Sequence, residues 1–189
     1  MKKFIVAIAA LGTLGLGLTS CSKDEIIDDL ISITISKAAE AEFTIPVIPV
    51  GGIDTTLGES MTYFNLDSLI REETDGELDL SSIESVTIDK LTLALDESGA
   101  NAADQDNNLS NFEEVKIVFS SDANSTPLEF SVNIPDEYTT SIDFTVDQTA
   151  SIKNYMEGNN FGYTVSGKIR KATTHELDGN VIMKFKVKE

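Results

Sequence analysis

Residues 128–134 read Leu128-Glu129-Phe130-Ser131-Val132-Asn133-Ile134, with an apolar side chain at every second position. Successive side chains of a β-strand point to opposite faces, so this period of two predicts a strand with one buried face and one solvated face. Phe130 lies in the middle of the apolar series, and we expect its side chain to be fully buried. Pro135-Asp136 follows directly and predicts a turn.

The same alternation recurs on both sides of this stretch and predicts further strands. Their apolar residues are Ile31, Ile33 and Ile35; Phe43, Ile45 and Val47; Val86 and Ile88; Leu91, Leu93 and Leu95; Val115, Ile117 and Phe119; Ile142, Phe144 and Val146; Tyr163, Val165 and Ile169; and Val181, Met183, Phe185 and Val187. Pro46 and Pro49 have no N–H to donate, so the strand that contains Ile45 should lie at a sheet edge or should leave the sheet.

Two further details concern how these strands are arranged. The apolar parity changes between Ile88 and Leu91, which predicts either a β-bulge near Asp89-Lys90 or the end of one strand and the start of another. The last strand has its lysines on the polar face, a pattern that predicts protection of a sheet edge. These lysines are Lys184, Lys186 and Lys188.

Two short helices interrupt the strands. The stretch from Asp67 to Glu73 is typical of a helical turn with Asp67 as its N-cap. Asp147 is a plausible N-cap for the second helix, and Gly158 suits the left-handed position after its end. With no βαβ rhythm, the pattern predicts an all-β fold.

We expect residues 31–189 to form a single antiparallel β-sandwich domain, Ig-like in architecture, with one or two short helices. The likeness is one of architecture only, because the chain has one cysteine and no tryptophan for the core of a true immunoglobulin domain. A closed barrel is the alternative architecture.

The composition excludes some classes of function. The chain has 14 basic and 32 acidic residues and a formal net charge of −18. A nucleic-acid-binding protein needs the opposite sign, so we expect no nucleic-acid partner. The single cysteine leaves no intrachain disulfide.

Residues 1–20 have the three parts of a secretory signal peptide. Lys2 and Lys3 form the basic part, an apolar run follows from Phe4 to Leu18, and Thr19 and Ser20 are small and polar. At about 1.5 Å per residue the apolar run is too short to cross a hydrocarbon core of about 30 Å. Removal of this segment would leave an acidic tether at residues 21–30, ahead of the β domain.

The stretch Leu18-Thr19-Ser20-Cys21 resembles the lipobox of bacterial lipoproteins, with leucine at −3, small residues at −2 and −1, and cysteine at +1. The resemblance implies cleavage before Cys21 and acylation of that residue, so the membrane is the expected partner. Two or more acyl chains hold a protein firmly on a bilayer, whereas one holds it marginally. An ordinary secretion signal is the alternative.

Lys23, Asp24 and Glu25 follow the cysteine. They resemble the signal that sends some Gram-negative lipoproteins to the exterior face of the outer membrane. The resemblance implies an outer-membrane location facing the exterior, and a solvated linker is the alternative.

The run Asp104-Gln105-Asp106-Asn107-Asn108 places the hard oxygen ligands of Asp104, Asp106 and Asn108 at the first, third and fifth positions of an EF-hand loop. Leu109 stands where the turn glycine belongs, and Val115 stands where the bidentate glutamate belongs. We therefore expect a solvated acidic loop, no cofactor, and at most weak Ca²⁺ binding.

No catalytic constellation stands out. The single histidine, His175, lies in a predicted loop, and no Gly-x-Ser-x-Gly motif surrounds a serine. We favour a non-catalytic binding or structural domain whose partner is a protein or a glycan, which the sequence does not distinguish. The alternatives are a subunit of a fimbria or outer-membrane complex built by strand addition, and a carboxylate-based hydrolase.

Overall fold

The computed structural model describes residues 32–34, 39–49, 55–63, 65–158 and 160–189. The predicted signal peptide, the tether at residues 21–30, Ile31 and Ile35 lie outside the described residues. The strands are β1 (Ser32–Thr34), β2 (Ala39–Ile45), β3 (Thr55–Tyr63), β4 (Ser85–Leu95), β5 (Phe112–Ser121), β6 (Asn124–Asn133), β7 (Ser141–Phe144), β8 (Asn160–Ile169) and β9 (Leu177–Lys188). The helices are α1 (Leu66–Glu73) and α2 (Lys153–Met156), and Leu109–Asn111 forms a 3-10 turn.

The described strands form two antiparallel sheets. In sheet A, β1 and β2 pair with one edge of β9, β4 pairs with the other edge, and β7 lies beyond β4. Sheet B has the order β3-β8-β5-β6. From β2 onward the chain changes sheet at every connection except the β5–β6 hairpin, which is the connectivity of a jelly roll.

The prediction of an all-β antiparallel sandwich with short helices is confirmed. The sandwich is Ig-like because it consists of two packed antiparallel sheets. Its strand order, however, is that of the jelly roll. Alternating patterns report which face of a strand is buried, but they do not report which strand lies beside which.

The core lies between the sheets. The inward side chains of the central strands β4, β5, β8 and β9 are almost inaccessible to solvent. Near the helical end of the sandwich, the Phe119 ring stacks on Phe161 with centroids 5.6 Å apart and tilts against Tyr163 at 5.2 Å. Burial raises the pKa of the Tyr163 phenol well above its usual value, because the charged form would lose its hydration.

Two details of the strand prediction are confirmed. Among the described strands, β2 pairs with β9 alone and ends at Ile45, immediately before Pro46. The strand β4 is continuous, and its register shifts between Ile88 and Lys90, so a bulge at Asp89 is the correct alternative. The bulge returns Leu91 to the buried face.

Three details of the strand prediction are wrong. Val47 lies beyond the end of β2 and is 52% exposed. Phe130 faces inward but is only half-buried, because β6 is an edge strand opposite the four-residue strand β7. The lysines of β9 do not protect an edge, since β9 is paired along both sides. An alternating pattern is the same in a central strand and in an edge strand.

The predicted helix caps are also corrected. The N-cap of α1 is Asn65, whose side-chain oxygen accepts from the Ser68 N–H at 2.9 Å, and Asp67 lies inside the first turn. The helix α2 is a single turn. Asp147 closes a separate turn by accepting from the Thr149 N–H at 2.9 Å. Asp and Asn cap turns and helices by the same hydrogen bond, so the sequence alone does not separate the two.

Candidate functional site

The lipidation and export residues lie outside the described part of the chain. These residues are Cys21, Lys23, Asp24 and Glu25. The described chain enters the domain through β1, where Ser32 pairs with Lys188 at the end of β9. The chain therefore enters and leaves at one end of the sandwich, which is the end that carries α1 and α2.

A helix that crosses a membrane needs about 20 predominantly apolar residues. Within the described residues, no helix is both long enough and apolar enough to do so.

The opposite end carries the β2–β3, β4–β5, β6–β7 and β8–β9 loops, and it contains an extensive polar network. We call it the loop end. Ile48 of the β2–β3 loop and Thr173 of the β8–β9 loop exchange hydrogen bonds of 2.8 and 3.0 Å. The Leu109 N–H of the β4–β5 loop donates to the Thr139 carbonyl of the β6–β7 loop at 2.8 Å. These bonds join the four loops in two pairs.

Three buried asparagines hold the loops together: Asn107, Asn108 and Asn111. Asn108 precedes the 3-10 turn, and its side-chain oxygen accepts from the Ser110 N–H at 3.0 Å. Asn111 donates to the carbonyl oxygens of Asp106 and Ala172, at 3.0 and 2.8 Å. Each amide replaces backbone partners that the irregular loops lack, so the asparagines have a structural role.

The side chains predicted as metal ligands accept hydrogen bonds instead. One carboxylate oxygen of Asp104 accepts from the Asp106 N–H at 2.8 Å and from the Asn107 N–H and side-chain amide at 2.8 and 2.9 Å. The Asn107 amide, followed by the Asp106 N–H, holds the pKa of Asp104 below its usual value. Asn108 is 1% exposed and directs its oxygen at backbone N–H groups. In the described part of the chain, no group of three or more His, Cys, Asp or Glu side chains could hold a metal ion.

His175 connects two loops. Its Nε2 lies 3.0 Å from the Ala102 carbonyl oxygen, and its Nδ1 lies 3.9 Å from a carboxylate oxygen of Asp104. A carbonyl oxygen only accepts, so the contact with Ala102 places a proton on Nε2. Only Nδ1 is then available for proton transfer, and it faces a carboxylate. This arrangement suits a structural contact better than a general base.

Arg170 was not identified from the sequence, and it is a central contact of the loop end. Its guanidinium donates to the carbonyl oxygens of Ser110 and Ile134 at 2.9 and 2.8 Å, which joins three loops. Its neighbour Lys171 pairs with Asp136 at 2.7 Å, and this contact lowers the Asp136 pKa. An arginine just after a predicted strand and beside loops rich in carbonyl groups is the signal that could have found it.

An open acidic cleft of about 360 Å³ lies at the rim of the loop end, on the outer side of sheet A. Its polar lining comes from Glu42, Thr44, Asp96, Asp178 and Asn180. Asp178 accepts from the Thr44 hydroxyl at 2.7 Å, and Asp96 accepts from the Asn180 amide at 3.3 Å. The cleft presents carboxylate acceptors on a rigid strand scaffold, so it suits a polar or cationic group.

Several carboxyl groups of the described residues have a pKa that differs from its usual value, and the direction of these shifts bears on the carboxylate-based hydrolase. A general acid needs a raised pKa, yet every carboxyl whose pKa departs from its usual value is shifted downward by a hydrogen bond or a cation. These carboxyls are Asp67, Asp79, Asp104, Glu113, Asp136, Asp143 and Asp147. They are therefore suited to structural contacts.

No family model and no curated protein matches the chain. Among solved structures, the chain is similar to one described as Desmodium yellow mottle tymovirus. The alignment has 11% identity and a TM-score of 0.28, and it covers 90% of this chain and 94% of that chain. A TM-score this low carries no argument, so the jelly-roll assignment depends on strand connectivity alone.

Proposed function

We propose that the chain is a bacterial lipoprotein, acylated at Cys21 and held on the exterior face of the outer membrane, whose β domain is a non-catalytic binding or structural module. The observation that carries the proposal is the complete box Leu18-Thr19-Ser20-Cys21 behind a basic and apolar leader. The arrangement of the domain is compatible with a tether, because Ser32 lies at one end of the sandwich and the acidic cleft lies at the other.

The loop end supports a binding or structural role over catalysis. Its polar groups are engaged with backbone partners in neighbouring loops, as Asn107, Asn111 and Arg170 illustrate. Such contacts fix the loops and leave the acidic cleft as a preformed surface. Ligand sites are commonly presented on loops that a rigid scaffold positions.

A subunit assembled by strand addition is favoured less. Such a subunit leaves an apolar groove open until a donor strand fills it. The inward side chains of β9 are instead covered within one chain, and Val181, Met183, Phe185 and Val187 are all 0% exposed. The described sandwich therefore has a filled core without a donor strand.

Replacement of Cys21 tests the anchor. Cys21→Ser should abolish incorporation of labelled palmitate and move the protein from the membrane fraction to the soluble fraction. Ser20→Ala is the matched control, because it keeps a small residue before the cysteine and should label like the parent. Undiminished acyl labelling of Cys21→Ser would contradict the proposal.

The location on the exterior face of the outer membrane is tested separately. Replacement of Lys23, Asp24 and Glu25 by alanine should remove protease accessibility on intact cells while acylation continues. The double variant Asp28→Ala, Asp29→Ala is the control, since it also removes acidic charge from the tether. Equal accessibility in all three proteins would mean that Lys23-Asp24-Glu25 is a linker.

A further inference from the structure

The outer face of sheet A has its charges separated along the strands. On β9 the outward residues are Asp178, Asn180, Ile182, Lys184, Lys186 and Lys188, in that order, and they alternate with buried residues. Because the neighbouring strands are paired, each outward residue of β9 lies in a row of outward residues that runs across the sheet. Glu40 pairs with Ile182 and Glu42 pairs with Asn180, while Asp96 lies beside Asp178.

The face therefore has an acidic half toward the loop end and a basic half toward the other end. The acidic half comprises Glu40, Glu42, Asp96 and Asp178. The basic half comprises Lys184, Lys186 and Lys188. Lys90 pairs with Lys184 in the register, but its charge is compensated by Asp143 at 3.0 Å.

The spacing of the two halves is self-complementary. A twofold axis can lie between two facing copies of this sheet, perpendicular to the strands at the level of Met183. This axis reverses the strand direction in the second copy. A residue that precedes Met183 on one β9 then faces the residue that follows Met183 by the same number of positions on the other β9. The row of Lys188 then faces the row of Asp178 and Asp96. The row of Lys186 faces the row of Glu42. Every lysine row thus meets a row that holds a carboxylate, which is the property of an isologous interface.

Three outward side chains near the centre of this face carry no charge. Ile182 and Thr92 lie in the row of Glu40, next to the row of Lys184, and Ala94 lies in the row of Glu42; all three are partly exposed. Interfaces commonly combine a less polar centre with a charged rim. Stacked sheets lie about 10 Å apart, a gap that extended Lys and Glu side chains can bridge together.

We propose that the outer face of sheet A binds a second copy of this chain, with the two β9 strands antiparallel across a twofold axis. The separation of the charges into two halves selects this antiparallel arrangement, because parallel stacking of the two faces would set lysine against lysine and carboxylate against carboxylate. Glu40 and Glu42 are exposed and point away from the core, so they are available to the partner copy. The proposal is independent of the lipid anchor.

Charge reversal tests the pairing. Lys184→Glu, Lys186→Glu places acids against the acidic half of the partner copy, and Glu40→Lys, Glu42→Lys places lysines against its basic half. Each double variant should weaken dimerisation by about tenfold or more, since attractive pairs become repulsive in both symmetry-related contacts. The combination of all four changes restores opposite charges in every row and has the parent net charge, so it should dimerise like the parent.

The measurement is sedimentation equilibrium of the full chain in a density-matched neutral detergent. Glu40→Lys, Glu42→Lys lowers the net negative charge, so general repulsion alone predicts tighter association, whereas the proposed interface predicts weaker association. A monomeric parent at about 0.1 mM, or a fourfold variant that stays as weak as the double variants, would overturn the proposal. A monomeric parent whose lysines are needed for binding to phosphatidylglycerol vesicles would assign this face to lipid instead, and would also overturn it.

Discussion

Asn107 of the β4–β5 loop and Thr174 of the β8–β9 loop are joined by two hydrogen bonds. The side-chain oxygen of Asn107 accepts from the Thr174 backbone N–H at 2.7 Å and from the Thr174 hydroxyl at 3.1 Å. Asn107 is 1% exposed, so its polar groups are satisfied inside the protein. This contact illustrates how the loop end is fixed by amide side chains.

Replacement of Asn107 should therefore destabilise the domain. Asn107→Ala removes the acceptor of the Thr174 N–H and the amide that donates to Asp104. At about 0.5–1.5 kcal/mol for each hydrogen bond, the free energy of unfolding should fall by about 1–3 kcal/mol. Chemical denaturation measures the change. Gln105→Ala is the control in the same loop, because Gln105 is exposed, and its effect should stay within about 0.5 kcal/mol. Equal effects of the two variants would contradict the structural role of Asn107.

Two phenylalanines of sheet B should differ in their contribution to stability. Phe119 is 1% exposed and stacks on Phe161, so Phe119→Ala should cost about 3–5 kcal/mol. Phe130 is half-buried on the edge strand β6, so Phe130→Ala should cost distinctly less. Urea unfolding of both variants measures the difference. A cost at Phe130 that equals the cost at Phe119 would show that the β6 edge is covered.

The pH dependence of stability should contain a contribution from Asp104. Hydrogen bonds from the Asn107 amide and then from the Asp106 N–H lower its pKa in the folded state. A lowered folded-state pKa gives stability that is present above the unfolded value of about 4 and is lost as the pH falls through the folded value. Asp104→Asn should therefore make the loss of stability below about pH 4 less steep.

Unfolding at a series of pH values measures this slope. Asp106→Asn is the control, because it removes the same charge from an exposed neighbour in the same loop. A slope for Asp104→Asn that matches the slope of the parent protein would contradict this contribution of Asp104.

Calcium should stabilise the domain without a specific site in the β4–β5 loop. A chain with a formal net charge of −18 gains from screening by divalent cations, whereas the oxygen of Asn108 is already used by backbone N–H groups. Thermal melts should show a Ca²⁺-dependent shift that persists in the Asp104→Ala, Asp106→Ala double variant. A shift that disappears in this variant would establish a calcium site in the loop.

The sequence predicts the strands well because burial imposes a period of two. The alternating residues Val115, Ile117 and Phe119 all lie in the core, and the change of parity before Leu91 corresponds to a bulge, which is one of the two alternatives that the sequence allows. Phe130 shows the limit of this reasoning. Its parity is right, but its exposure depends on the position of β6 at a sheet edge, which is a property of tertiary structure.

The polar features were harder to predict because their meaning depends on distant residues. Asp104 and Asn108 have the residue types of cation ligands, and in the fold they accept hydrogen bonds from nearby backbone N–H groups. The acidic cleft combines Glu42 with Asp178, which are far apart in sequence and adjacent only through the pairing of β2 with β9. Short-range motifs cannot reveal such combinations.

The mass of the mature amino-terminal peptide, from protein extracted from membranes, tests the central proposal most directly. We expect a chain that begins at Cys21 and has diacylglycerol on its sulfur, with all of residues 1–20 removed. A mature chain that keeps residues before Cys21, that begins after it, or that has an unmodified thiol at Cys21 would contradict the proposal.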